Sequence, residues 1–150
     1  MGHTYANILI HAVFSTRNRQ PWLTPEIREE IFRYLGGTVR ELGGQSRLVN
    51  GPLDHVHMLF LQPRTLSIAT VAEKVKANSS RWVKERWPKR RYFGWQTGYA
   101  AFSVSKSNEE QVKHYISKQE EHHRKVTFQE EVLAFLKKHG VEYDPRYVFD

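Results

Sequence analysis

The run "HVHMLFL", residues 55–61, is largely apolar on both sides of a strand, and this constrains the fold more than any other stretch of the chain. Successive side chains of a β-strand point to opposite faces. Val56, Met58 and Phe60 therefore take one face, and His55, His57, Leu59 and Leu61 take the other. A strand built this way belongs in the middle of a sheet covered on both sides. Pro63 stops it, and Asn50, Gly51 and Pro52 supply a turn from a preceding strand in "SRLVN".

The remaining elements follow from periodicity and caps. "YANILIHAVFST", residues 5–16, has strand composition and ends at the polar "TRNRQP". A helix opens at Thr24 as N-cap with Pro25 in its first position. Ile27, Ile31, Leu35, Val39 and Leu42 then recur at helical spacing, and Gly43–Gly44 close it. Gly36 and Gly37 lie inside this pattern, at a cost of about 1 kcal/mol each against Ala. Either the backbone is closely approached there or the helix breaks.

Ser67 caps a second helix, with Ile68, Val71, Ala72, Val75, Trp82 and Val83 on one side, ending before Pro88. "GYAAFSVS", residues 98–105, reads as a fourth strand. "SNEE" is a capping box, Ser107 with Glu110, opening a helix through about His122. "TFQE", Thr127 with Glu130, opens a last helix that stops near Gly140, and the tail "VEYDPRYVFD" is irregular. The order is β-α-β-β-α-β followed by two helices. It predicts an α+β, ferredoxin-like (RRM-like) antiparallel sheet with helices on one face, plus C-terminal helices. No repeat or linker divides the chain, so one domain over 1–150 is expected.

Composition narrows the chemistry. The chain has no cysteine, which excludes disulfides, iron–sulfur clusters and thiol catalysis. No stretch approaches the roughly 20 apolar residues of a membrane span, and the N-terminus lacks signal-peptide character, so a cytoplasmic protein is expected. A formal charge of +7, from 23 Lys and Arg against 16 Asp and Glu, favours an anionic partner such as nucleic acid or acidic lipid.

Three groups of residues could carry function. His55 and His57 share one strand face, so both imidazoles can lean onto one metal ion; the alternative is two histidines with no shared task. Tyr115 and Gln119 are four apart and lie one turn apart on a helix. Tyr115 is either a core aromatic or a phenol reaching a site together with the Gln119 amide. A phenol with a pKa near 10 is a poor nucleophile unless a cation or base stands near it. Finally, residues 74–91 carry eight Lys or Arg against one Glu, including Lys84, Arg86, Lys89, Arg90 and Arg91. That density suits phosphate contacts, and Trp87, Tyr92, Phe93 and Trp95 could stack on unpaired bases. A solvated helix face is the alternative, and Trp82 falls on the apolar stripe.

"DHVHMLF", then "SSRWV" in a basic helix, then "GYAAFSVS" and "YISKQ" together resemble the single-tyrosine HUH transposases of the insertion sequence 200/605 type. The similarity runs from "HAVFSTRNRQP" to the tail. The resemblance implies that His55 and His57 bind a divalent metal, Mg²⁺ or Mn²⁺, and that Gln119 completes that site. It implies that Tyr115 attacks single-stranded DNA, giving a 5′-phosphotyrosine link and a free 3′-OH. It also implies recognition of a DNA hairpin, here assigned to the basic region at Lys84, Arg86, Lys89, Arg90 and Arg91. A homodimer paired edge to edge is implied as well, commonly with each tyrosine helix donated to the partner's histidines. Two further readings keep the fold: a host-adopted hairpin nuclease, and a nucleic-acid-binding module without enzymatic activity.

Overall fold

The computed structural model describes residues 2–149; Met1 and Asp150, the ends of the expected 1–150 domain, lie outside the described residues. Four strands form one sheet: β1 (Leu9–Ser15), β2 (Gln45–Asn50), β3 (His55–Leu61) and β4 (Ala100–Val104). Their order is β2-β3-β1-β4, and every neighbouring pair is antiparallel. This is the ferredoxin-like arrangement expected. The two-sided apolar strand β3 is central, as is β1, which is buried along its whole length.

One face of the sheet holds the larger core. Ile10, Ala12, Phe14, Val56, Met58 and Phe60 meet Ile31, Leu35 and Val39 of α1 (Pro25–Glu41) and Val71, Val75 and Val83 of α2 (Ile68–Arg86). Fully burying an aliphatic or aromatic side chain of this kind contributes about 1.5–3 kcal/mol. The helix α1 is continuous through Gly36 and Gly37. A Cβ on Gly36 would stand 2.8 Å from Ser46 Oγ, so close approach of β2 is the reason for glycine there. Thr24 is the N-cap, but its side chain makes no cap bond; its hydroxyl accepts from Arg90 Nη2 at 3.3 Å. Ser67 does cap α2, accepting from the Thr70 amide. Trp82 is partly buried against this core and stacked on Tyr34, with ring centres 4.4 Å apart.

The opposite face carries the C-terminal helices α3 (Glu109–Ser117), α4 (Gln119–His122) and α5 (Phe128–Lys138). Ile116 packs on Leu9 and Leu59, while Phe128, Val132 and Leu136 pack on Val13 and Phe102. Two local expectations fail here. Ser107 makes no capping box, because residues 106–108 form a 3₁₀ turn and Asn108 becomes the N-cap of α3. Nor does that helix run unbroken to His122: it breaks at Lys118. Asn50 of β2 explains the break. Its Nδ2 donates to the Ile116 carbonyl at 2.9 Å, the acceptor a continuous helix would give to the Glu120 amide. The Thr127–Glu130 capping box is formed, with both reciprocal bonds present. No helix among the described residues is long and apolar enough to cross a membrane.

Candidate active site

His55 and His57 lie on the face of β3 that looks toward α3, α4 and α5, and both are fully buried. Each imidazole is oriented by a neighbour. His55 Nδ1 stands 2.8 Å from Asp54 Oδ1, which places the ring proton on Nδ1 and turns Nε2 inward. His57 Nδ1 meets His11 Nε2 of β1 at 2.8 Å. The turn before β3 is tight against this pair, since a Cβ on Gly51 would run into the His55 carbonyl oxygen.

Glu131 of α5 stands at the centre. Its Oε1 lies 2.9 Å from His57 Nε2, 3.0 Å from His123 Nε2 and 3.2 Å from His55 Nε2. Its Oε2 accepts from the Tyr115 hydroxyl and, at 3.2 Å, from Gln119 Nε2, with His122 Nε2 at 3.4 Å. Tyr115 and Gln119 thus converge on one carboxylate oxygen although the helix bends between them.

The electrostatics follow from that crowding. Burial alone would raise the Glu131 carboxyl, but the imidazoles of His123, His55 and His57 crowded against it outweigh that and hold the group far below the usual carboxylate range. Burial pulls His57 down to about 4, and burial with the nearby His57 pulls His11 down to about 3. His55 goes the other way: burial opposes its charge, yet Asp54 and Glu131 raise it. Burial and the Glu131 carboxylate both push the Tyr115 phenol up, so its hydroxyl keeps its proton as the site stands.

The donor set suits a divalent cation. His55 Nε2 and Gln119 Oε1 are buried polar atoms with no hydrogen-bond partner, the 3.2 Å approach of Glu131 to His55 being too poorly aligned. A buried polar atom without a partner costs roughly 1–3 kcal/mol, and a bound ion would satisfy it. Ligand atoms of His55, His57, His123 and Glu131 all lie within 4.8 Å of one another.

Two clefts reach the cluster from different sides. One, about 490 Å³, is lined by His11, Ser103, Tyr115, His122, Glu131 and Phe135. The other, about 730 Å³, is lined by Arg19, Arg28, Asp54, Glu120, His123 and Arg124 among others. The phenol therefore faces a cavity large enough for a ligand.

The basic residues are not gathered around the histidines. Lys84, Arg86, Lys89, Arg90 and Arg91 belong to the end of α2 and the turn after it, and α2 packs on the opposite face of the sheet. Lys84, Lys89 and Arg91 are exposed; Arg86 pairs with Glu30 at 3.4 Å. The first turns of α1 link the two regions, since Arg90 reaches Thr24 and Arg28 reaches Glu120 of α4 at 3.5 Å. Of the aromatics expected to stack on bases, Phe93 and Trp95 are buried in the core and cannot do so. Trp95 instead donates its Nε1–H to Ser79 Oγ at 2.8 Å. Tyr92 is exposed and Trp87 half-buried.

Sequence reasoning missed His11, Asp54, His123 and Glu131. Two signals were present. His11 interrupts a strand otherwise apolar, and Glu131 sits on the α5 stripe of Phe128, Val132, Phe135 and Leu136, where a carboxylate has no reason to be unless it is partnered.

The pattern of the family described as IS200-like transposases matches residues 4–119. No curated protein matches the chain. Among solved structures, a candidate transposase from Deinococcus radiodurans R1 is 21% identical, with a TM-score of 0.64 over 79% of this chain and 96% of that one. A REP-associated tyrosine transposase bound to a REP hairpin is 12% identical, with a TM-score of 0.54 over 95% of this chain and 74% of that one. At these identities the two structures share the fold.

Proposed function

The chain belongs to the IS200-like transposase family, and from that premise we propose that it cleaves and rejoins single-stranded DNA at hairpin-bearing ends, with Tyr115 as nucleophile. One observation carries this reading. The Tyr115 hydroxyl and the His57 imidazole contact the same carboxylate, so the candidate nucleophile stands inside the histidine cluster rather than in a separate core.

His55, His57 and Gln119 would hold the divalent cation, Mg²⁺ or Mn²⁺, with His55 Nε2 and Gln119 Oε1 as the unpartnered donors. Bound there, the ion would polarise the scissile phosphate, offset its growing charge and bring down the pKa of the phenol. Tyr115 Oη attacks phosphorus in line. The Oη–P bond forms, the bond from phosphorus to the 3′ oxygen breaks, and the phenolic proton is balanced by protonation of that oxygen. The products are a 5′-phosphotyrosine link and a free 3′-OH. A 3′-OH from another strand end reverses the step, so strands are exchanged with the number of phosphodiester links conserved. Lys84, Arg86, Lys89, Arg90 and Arg91 would take the backbone of the hairpin. The solved hairpin complex of the REP-associated relative supports that class of ligand.

The test is a denaturing gel with end-labelled single-stranded hairpin DNA and Mn²⁺. Wild type should give a covalent protein–DNA band, and Tyr115→Phe should give none while still binding DNA. A band that persists in the variant removes Tyr115 as nucleophile. No band in either protein across a panel of hairpins puts a non-enzymatic binding module ahead.

A further inference from the structure

Glu131 presents its two oxygens to two different sets of groups. Oε1 faces the imidazoles of His55, His57 and His123 at 2.9–3.2 Å. Oε2 faces the Tyr115 hydroxyl, the Gln119 amide and His122. The side chain is buried. A lone carboxylate at such a depth is costly, and three imidazoles converging on one of its oxygens is the arrangement of a cation site.

We infer that the metal site has two protein ligands beyond the two histidines of β3 and Gln119, namely Glu131 through Oε1 and His123 through Nε2, and that Glu131 ties the ion to the nucleophile through Oε2. This rests on the metal reading of His55 and His57. The helix order supplies the geometry. The break at Lys118 starts a new short helix, and His123 follows directly after it. The Thr127 cap then fixes the start of α5, one turn before Glu131. The segment after Tyr115 thus carries ligands of its own.

The donor set also predicts which ion binds. Three imidazoles and one carboxylate are softer than the all-oxygen shell Mg²⁺ prefers, and they suit Mn²⁺ or another first-row divalent ion better. Four such donors leave an octahedral ion two positions, enough for the Gln119 carbonyl and one oxygen of a substrate phosphate. Glu131 is then a positioning residue for Tyr115 as well as a ligand, since it holds the phenol oxygen by hydrogen bond at a fixed place beside the ion.

The experiment is calorimetric titration of the full-length chain with Mn²⁺ and with Mg²⁺, after chelator treatment, without DNA. Wild type should bind Mn²⁺ at least tenfold more tightly than Mg²⁺. Glu131→Gln and His123→Gln should each weaken Mn²⁺ binding by tenfold or more, with circular dichroism melts confirming that the variants fold. Should either variant fail to fold, pulsed electron paramagnetic resonance on Mn²⁺-loaded wild type counts the coordinating imidazoles: three are expected, and two would remove His123. Absorption of the Co²⁺-loaded protein gives a second readout, because loss of the carboxylate moves the ligand-field bands. Wild-type affinity in both variants, with binding lost in His57→Ala, would overturn this inference and leave the two-histidine metal site intact. Tighter binding in Glu131→Gln would overturn it too, by making the carboxylate a competitor for the ion's place. No Mn²⁺ binding by wild type would overturn both the inference and the metal reading.

Discussion

Tyr115 stands edge-on to His57 of its own chain, with ring centres 5.8 Å apart and planes at 75°. Both rings reach Glu131, so the phenol and the histidines meet within one chain. Mixing Tyr115→Phe protein with His57→Ala protein should therefore restore no strand cleavage. Each chain of a mixed dimer would lack one half of its own site. Subunit exchange must be verified, for instance by energy transfer between labelled copies. Recovery of cleavage toward a quarter or half of wild type would place the tyrosine helix in the partner's site, the arrangement the family resemblance implies.

Chelation gives a thermodynamic test of the same cluster. A ligand that binds only the folded state, present at about a hundred times its dissociation constant, stabilises by about 2.7 kcal/mol. Adding Mn²⁺ to chelator-treated wild type should raise Tm by several degrees, and EDTA should reverse it. His55→Ala and His57→Ala should both abolish the rise. The His57 variant also strips His11 of its buried partner at 2.8 Å, so its own Tm without metal should fall further than that of a surface substitution. An equal Mn²⁺ rise in both variants would take the ion elsewhere.

The basic end of α2 lies across the sheet from the histidines, so its role separates from the chemistry. Replacing Lys89 and Arg90 together by Ala should weaken single-strand binding and flatten its dependence on log salt, by about one to two in slope. The formation of the covalent band, once DNA is saturating, should change little. Arg90 also donates to Thr24 at 3.3 Å, so Lys89→Ala alone serves as the control free of that contact. An unchanged slope in both would make these charges a solvated rim.

Much of this molecule was legible because the strands and caps obey local rules. The two faces of residues 55–61 place β3 in the centre, and Pro25, Ser67 and Thr127 mark helix starts that the structure keeps. The break at Lys118 was not legible, since it depends on Asn50, a residue 68 positions earlier whose side chain takes a helix carbonyl. The Ser107 capping box failed for a local reason: a 3₁₀ turn over residues 106–108 takes Ser107 into its middle and moves the N-cap to Asn108. Glu131 and His123 escaped notice because they join His55 only through the folding of α5 over the sheet. Spacing along the chain carries no trace of that approach. For Glu131, the odd carboxylate on the apolar stripe of α5 was a signal that could have been read.

Asn50 offers a test of how the bend at Lys118 serves the site. Its Nδ2 holds the Ile116 carbonyl at 2.9 Å, and Ile116 itself is fully buried on Leu9 and Leu59. Without that donor, the carbonyl regains its ordinary helix partner, the Glu120 amide, and residues 115–122 can straighten. Straightening would turn Gln119 and the following His123 relative to Tyr115, whose place is set by packing against Phe135 and His57. Asn50→Ala should therefore cost only about 1 kcal/mol of stability, the worth of one hydrogen bond that finds a substitute. Its effect on function should be larger, because a misplacement of about 1 Å at a reacting group costs roughly a hundredfold in rate. Single-turnover cleavage, measured beside a urea melt, separates the two. Loss of stability with cleavage unchanged would make Asn50 a strand residue with a good partner and nothing more. Loss of cleavage at near-native stability would tie the bend to the alignment of Tyr115 and Gln119.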